Sequence, residues 1–309
     1  MTIHQNYLGC DISKHAVDVF DAASGKHARV ANEWAALQSF AATLDPARDF
    51  VVLEATGHHD RLLRHALAQC GVGYSRLNPM TARRFAQARG RLAKTDRIDA
   101  RSLADYGATF HPRASAVPCP KREHLAAMAR RRDQLVEARA TELKHRADAF
   151  DADVLADIEA SIAALDARIG YIEARIRDEL KAHEHLSRQA GQLMSAPGVG
   201  PVTALTLLAH MPELGQLSPK TAAALAGLAP FNADSGRKAG RRTINGGRPR
   251  VRKALYMAAL GAIRANQRFK AFYCAVALRS GSRKLAIIAV ARKLLTVLNA
   301  MIRDRKSFA

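Results

Sequence analysis

Between Leu155 and Ile176, large aliphatic residues return at spacings of 3, 4, 3, 4, 3 and 4: Leu155, Ile158, Ile162, Leu165, Ile169, Ile172 and Ile176, with charges in many of the positions between. A period of 3.5 belongs to a helix that keeps one apolar seam turned toward a partner. The seam therefore predicts a long helix that is not stable by itself. Leu125, Met128, Leu135 and Leu143 form a weaker stripe upstream, and the acid-rich DAFDADVLAD between the two marks a bend. Two helices packing within one chain and a coiled-coil arm for oligomerisation account equally well for the pattern.

This helical middle divides the 309 residues into three expected segments, 1–111, 112–190 and 191–309. In the first, NYLGCDIS, HAVDVFDA and KHARVAN read as three strands, with Ser24-Gly25 as a hairpin turn. EWAALQSFAATL then has helical spacing. DFVVLEATG is an apolar run suited to a buried strand, HHDRLLRHALAQCG a helix closed by Gly71, and VGYSRLNP a fifth strand. Three antiparallel strands followed by αβαβ is the element order of an α/β RNase H-like domain. The last segment is mostly helical. It opens with QLMSAPGVGPVTALTLLAHM, an apolar helix, a glycine hinge and an apolar helix, the pattern of a helix-hairpin-helix. Without a Cβ, Gly198 and Gly200 allow a phosphate to approach their backbone amides, although a tight turn between two core helices needs the same residues.

Charge separates the three segments more sharply than hydropathy does. Lys+Arg against Asp+Glu is 14 to 11 in residues 1–111, 14 to 14 in 112–190, and 20 to 3 in 191–309. From Ser235 to Arg303 there is no acidic residue. A solvated surface normally mixes both signs, so a net charge of +20 concentrated in this way points to a polyanionic partner. The four cysteines, Cys10, Cys70, Cys119 and Cys274, form no Cys-x-x-Cys pair, which argues against zinc and against a disulfide framework. MTIHQNYLGCDIS lacks a basic region followed by an apolar core, so no secretory leader is expected. The most apolar tract, Lys284 to Ile302, is interrupted by Arg292 and Lys293 and is expected to be too short for a membrane. The composite expectation is a cytoplasmic nucleic-acid binder with no membrane partner.

Four carboxylates stand out. Asp11 interrupts an apolar strand, and Glu54 ends another. Asp96 and Asp99 lie three residues apart in AKTDRIDARSLADY and so share one helix face. In an RNase H-like sheet the first and fourth strands are neighbours, which sets Asp11 beside Glu54. Acids crowded in this way repel unless a cation intervenes, and oxygen-only donors suit Mg²⁺ or Mn²⁺. Taken singly, each acid is as easily a cap or an ion-pair partner; the set of four favours a metal site. Ser235, before a glycine in a basic stretch, reads as a turn residue on spacing alone. As a nucleophile it would need activation from elsewhere. Arg237, Lys238, Arg241, Arg242, Arg248 and Arg252 around it are candidates for phosphate contacts.

YLGCDISK, VVLEATGHHDRLLRHAL, RRFAQARGRLAKTDRIDARSLADYG, SAPGVGPVTALTLLA, LAGLAPFNADSG, GGRPRVRKALYMAAL and AVARKLLTVLNAMIRD follow one another from Tyr7 to Asp304. In this they resemble the DEDD-type insertion-sequence transposases, the bridge-RNA-guided recombinases. The resemblance implies a Holliday-junction-resolvase-like (RuvC-like) domain, a coiled-coil middle and a C-terminal transposase domain in a prokaryotic, nucleoid-associated protein. It also implies that the DEDD acids are Asp11, Glu54, Asp96 and Asp99, and that Ser235 is a nucleophile forming a covalent phosphoserine. The implied active site joins the acids of one subunit to the serine of another. The implied assembly is a tetramer, a dimer of dimers, around bridge RNA paired with donor and target DNA. A metal-dependent junction resolvase using water would leave Ser235 idle, and an architectural binder would leave all four acids idle.

Overall fold

The computed structural model describes residues 4–55, 57, 59–90, 95–231 and 243–309. By packing, the chain forms two compact units, Met1–Cys119 and Pro120–Ala309.

The first unit is built on one mixed sheet of β1 (Asn6–Ile12), β2 (Ala16–Asp21), β3 (His27–Ala31), β4 (Asp49–Glu54) and β5 (Gly73–Leu77), in the order β3-β2-β1-β4-β5. β1, β2 and β3 are antiparallel, whereas β4 runs parallel to β1 and β5 parallel to β4. The order and directions are consistent with the RNase H-like expectation. β1 and β4, inner strands of this mixed sheet, are buried on both faces because helices cover both of its sides. Leu8, Cys10, Ile12, Val51 and Leu53 pack on one face against Leu37 and Ala41 of α1 (Trp34–Ala42) and Leu63, Ala66 and Leu67 of α2 (Arg61–Gln69). On the opposite face Tyr7, Phe50 and Val52 meet Leu103 of α4 (Asp96–Phe110).

Gly9 sets how closely α4 lies on β1. A Cβ there would stand 1.8 Å from the carbonyl oxygen of Ala100 and 2.5 Å from the amide of Ala104, inside the helix backbone itself. The helix preceding α4 is absent from the sequence expectation: Pro79 does not merely close β5 but opens α3 (Pro79–Ala88), at the first-turn position where its missing N–H costs nothing. Asn78 caps α3 by accepting from the Met80 amide. Beyond α4 the chain returns along β5, where the Ser115 amide donates to the Tyr74 carbonyl and the Arg76 amide to Ser115 Oγ, covering the sheet edge.

The second unit begins with two long helices, α5 (Pro120–Asp148) and α6 (Ala152–Lys181). The ion pairs Arg132–Glu173 and Arg139–Asp166 run in opposite directions along the two, so they form an antiparallel hairpin. Its bend lies within the acid-rich stretch, and Asp151 caps α6 by accepting from the amides of Asp153 and Val154. Ile158, Ile162 and Ile176 of the heptad seam are buried, while Leu155, Leu165, Ile169 and Ile172 are half-buried. The hairpin is continuous with α7 (Glu184–Met194) and α8 (Pro201–His210) through a cluster of Leu125, Ala129, Ile176, Leu186 and Leu205. α9 (Pro219–Leu225), α10 (Pro249–Ala265), α11 (Gln267–Ser280) and α12 (Arg283–Asp304) complete the unit.

The apolar C-terminal tract corrects one expectation. α12 has 22 residues and is long and apolar enough to cross a membrane by length and composition. However, Val290, Ala291, Leu294, Leu295, Leu298 and Met301 are all part of the main core of this unit, and Ala286 is buried as well. Its apolarity is thus used in packing. Asn299, buried on the same helix, donates to the Leu217 carbonyl and accepts from the Gly215 amide, both at 2.8 Å.

Candidate active site

Sheet parity brings two of the four acids together. Parallel pairing of β1 with β4 ends at Cys10 opposite Leu53, so Asp11 and Glu54 stand one step farther along adjacent strands. Asp11 is in phase with Tyr7 and Gly9, the face covered by α4. Thr95 caps α4 by accepting from the Ile98 amide, which places Asp96 and Asp99 in the first turn. Just beyond it, Gly9 lets the helix backbone at Ala100 and Ala104 lie close to β1.

The electrostatic consequence is largest at Asp11. Its carboxyl is pushed up to about 6, first by burial and then by the negative charges of Asp99, Asp96 and Glu54. The adjacent Cys10 thiol, fully buried on the other face, is also pushed far up, mainly by burial, and is inert. Asp96 is exposed, while Asp11, Glu54 and Asp99 are half-buried. Among the described residues, no three His, Cys, Asp or Glu side chains converge on one point. In donor type and in mutual repulsion, the set nevertheless fits a hard divalent cation.

The segments that follow Asp11 and Glu54 are tied together by residues that local sequence patterns do not reveal. Asn32, just after β3, donates from Nδ2 to the Ser13 carbonyl at 2.9 Å and to the His59 carbonyl at 3.1 Å. It thereby bridges the segment after Asp11 to the segment after Glu54, while its buried Oδ1 has no partner among the described residues. Asp60 is fully buried and receives Arg64 at 3.1 Å and Arg76 from β5; Arg76 also donates to the Gly57 carbonyl. Apart from the i,i+4 pair of Asp60 with Arg64, these bonds join positions far apart in the chain, and no periodicity announces them.

Glu54 and Asp99 also line a cleft of about 370 Å³ between α3 and α4. Arg83 and Tyr106 face into it.

In the second unit, Ser235, Arg237, Lys238, Arg241 and Arg242 lie outside the described residues. On either side of them, Pro230–Phe231 (β6) and Thr243–Ile244 (β7) pair antiparallel, with Phe231 opposite Thr243. Arg248 is engaged inside the unit: it grips Glu213 through two 2.7 Å hydrogen bonds and donates to the His210 carbonyl. Arg252 donates to the carbonyls of Gly246 at 2.7 Å and Gly227 at 3.4 Å. Gly198 lies against α10, where a Cβ would meet the Ala258 carbonyl at 2.2 Å and the Ala262 amide at 2.3 Å. Gly200, at the N-cap of α8, has open space around it. Exposed cations that motif reasoning passed over lie on α10, α11 and α12. Arg264, Arg268, Lys270, Arg279, Arg283 and Lys284 form no ion pair among the described residues.

Two family models match in succession. One described as Transposase, of the IS110 DEDD type, covers residues 8–150, and one described as Transposase IS116/IS110/IS902 family covers residues 190–274. The pilin gene-inverting protein of Moraxella bovis is 28% identical over 266 residues, 84% of this chain and 81% of that protein. The insertion element IS900 uncharacterized 42 kDa protein of Mycobacterium paratuberculosis is 33% identical over 160 residues, 50% of this chain and 38% of that protein. The insertion element IS110 uncharacterized 43.6 kDa protein of Streptomyces coelicolor is 28% identical over 231 residues, 63% of this chain and 56% of that protein.

Proposed function

The chain belongs to the DEDD-type insertion-sequence transposase family and is a DNA transposase or recombinase, and we propose that it exchanges DNA strands through a metal-dependent, covalent phosphoserine route guided by a bridge RNA. The observation that carries the proposal is the placement of Asp11 and Glu54 one step beyond the β1–β4 pairing, with Asp96 and Asp99 in the first turn of α4, so that burial first and then the charges of Asp99, Asp96 and Glu54 push the Asp11 carboxyl up to about 6. A partly buried carboxylate held beside other acids in this way is suited to binding a cation.

DEDD-type transposases use divalent metal in general. Asp11, Glu54, Asp96 and Asp99 would hold Mg²⁺ or Mn²⁺, which when bound neutralises the carboxylates and polarises a scissile phosphate. Asn32 and the Asp60–Arg76 pair hold the segments that follow Asp11 and Glu54 in place. Ser235 Oγ attacks phosphorus and gives up its proton. The bond to the 3′ oxygen breaks, and that oxygen leaves as a hydroxyl. A 3′ hydroxyl of the second DNA then attacks the phosphoserine and restores the serine. Arg237, Lys238, Arg241 and Arg242, with the cations of α10 to α12, neutralise phosphates without reading bases. Gly200, together with Gly198, presents backbone amides to a phosphate at the α7–α8 turn, in the manner of a helix-hairpin-helix. Arg248 and Arg252 already serve internal contacts, so the others carry the larger share. The α5–α6 hairpin contributes a coiled-coil contact in a tetramer that binds donor DNA, target DNA and bridge RNA in the bacterial cytoplasm.

Denaturing electrophoresis of the full-length protein with its element-junction DNA and flanking RNA tests this. The wild type is expected to give a covalent protein–DNA adduct, and Ser235→Ala none. Asp11→Ala and Asp99→Ala are expected to bind nucleic acid but give no adduct. An adduct from Ser235→Ala would refute the nucleophile, and one from Asp11→Ala would refute the metal site.

A further inference from the structure

We infer that the cleft between α3 and α4 receives one unstacked nucleobase of the strand whose phosphate lies at the carboxylates. The cleft measures about 370 Å³ and shares Glu54 and Asp99 with the acid site, so whatever enters it is a close neighbour of the reacting phosphate. Its remaining walls change character. Met80, Leu103 and Tyr106 give an apolar lining, and Arg83 supplies a positive group beside it. Such a mixture suits a flat heterocycle joined to a phosphodiester and does not suit a second carboxylate or a bare cation. The volume lies at the small end of ligand pockets, which run from about 300 to 1,000 Å³, and is too small for a base pair within a duplex.

The walls are prepared for stacking. Tyr106 is backed by Phe85 in a T-shaped contact at 5.3 Å and by Phe110 at 4.8 Å, so its ring is fixed before any ligand arrives. Met80, in the first turn of α3, is exposed, and a thioether adapts to any base face. Arg83 is exposed and forms no ion pair among the described residues. It therefore remains available to a phosphate flanking the base. Enzymes that act on a nucleic-acid strand commonly take a base out of the stack into a pocket of this kind, and aromatic walls accept any base because each has a π face.

This inference rests on the strand-cleavage proposal, and the test separates the two. The full chain is mixed with a single-stranded oligonucleotide carrying one 5-iododeoxyuridine, irradiated at long wavelength, digested with trypsin and mapped by mass spectrometry. Crosslinks are expected in the peptides Leu77–Arg83 and Ser102–Arg113, which carry Met80 and Tyr106. Arg83→Ala, and Ala82→Phe, which fills the cleft from α3, are each expected to lower those crosslinks about 5- to 10-fold, while total bound oligonucleotide changes less than about twofold. Bound oligonucleotide with crosslinks confined to Pro120–Ala309 overturns the base pocket and leaves the cleavage proposal standing. Crosslinks that Ala82→Phe leaves unchanged also overturn the pocket. A chain that retains no oligonucleotide overturns both.

Discussion

Replacing Gly9 by alanine tests the packing on which the acid site depends. The new methyl carbon would lie 1.8 Å from the Ala100 carbonyl oxygen, where ordinary contact begins near 3.4 Å, so α4 must retreat by about 1.6 Å or β1 must bend. The obstruction is helix backbone, including the Ala104 amide at 2.5 Å, and no rotamer change relieves it. Overpacking that side chains can absorb costs about 1–3 kcal/mol, so a backbone clash belongs at or above about 3 kcal/mol. In a unit of this size that lowers the melting temperature by roughly 10–15 °C. Gly170→Ala is the control. Gly170 lies within α6, where an added methyl would have nothing within 4 Å, and helix propensity there favours alanine by about 1 kcal/mol. Differential scanning calorimetry of the full chain, with hydrogen exchange to assign the transition to Met1–Cys119, reads both variants. A Gly9→Ala transition within about 1 kcal/mol of wild type would refute the claim that β1 and α4 are held at this separation.

Asn32→Asp removes both Nδ2 hydrogen bonds and sets a carboxylate against two carbonyls; it is expected to cost about 2–3 kcal/mol in urea unfolding and to weaken Mn²⁺ binding, whereas unchanged Mn²⁺ affinity in the folded variant would deny the brace any role at the acid site. His210 is lowered from 6.5 to about 4, by burial and then by Arg250 and Arg130, so the unfolded chain binds the extra proton between those values. Stability is therefore lost as pH falls from about 6.5 toward 4, by about 1–2 kcal/mol after allowance for partial exposure, and His210→Gln is expected to flatten that part of the urea-midpoint profile. Arg248→Ala strips Glu213 of both 2.7 Å bonds; it is expected to destabilise the second unit by about 1–3 kcal/mol and to return the Glu213 carboxyl, now held low by Arg248, toward its ordinary range in an NMR titration.

Much of the architecture is visible in local patterns. NYLGCDIS, HAVDVFDA, KHARVAN, DFVVLE and VGYSRL are strands because β-branched and aromatic runs end at glycine, proline or a polar turn, and the 3.5 period from Leu155 to Ile176 lies in one helix. The α3 helix has no such signature, because Pro79 serves equally to end a strand and to begin a helix, and only the Asn78 cap distinguishes the two. The Lys284–Ile302 tract looks unsuited to a membrane because Arg292 and Lys293 interrupt it, yet what decides its fate is the core it enters.

The candidate site divides in the same way. Asp11, Glu54, Asp96 and Asp99 can be selected from their positions at strand ends and on one helix face, since those positions depend on periods of 2 and 3.6. Arg248 and Arg252 look like phosphate ligands because a cation's sequence neighbours do not name its partner, and Glu213 lies 35 residues away from Arg248. Asn32, Asp60 and Arg76 leave no signal for the same reason. The sequence by itself determined the elements and the types of chemical group they carry, because both are set within a few residues of backbone. Only the tertiary structure decided the closeness of β1 to α4, the charge felt by Asp11, the brace at Asn32 and the cleft beside Glu54, because each depends on atoms brought within a few ångströms by chain folding.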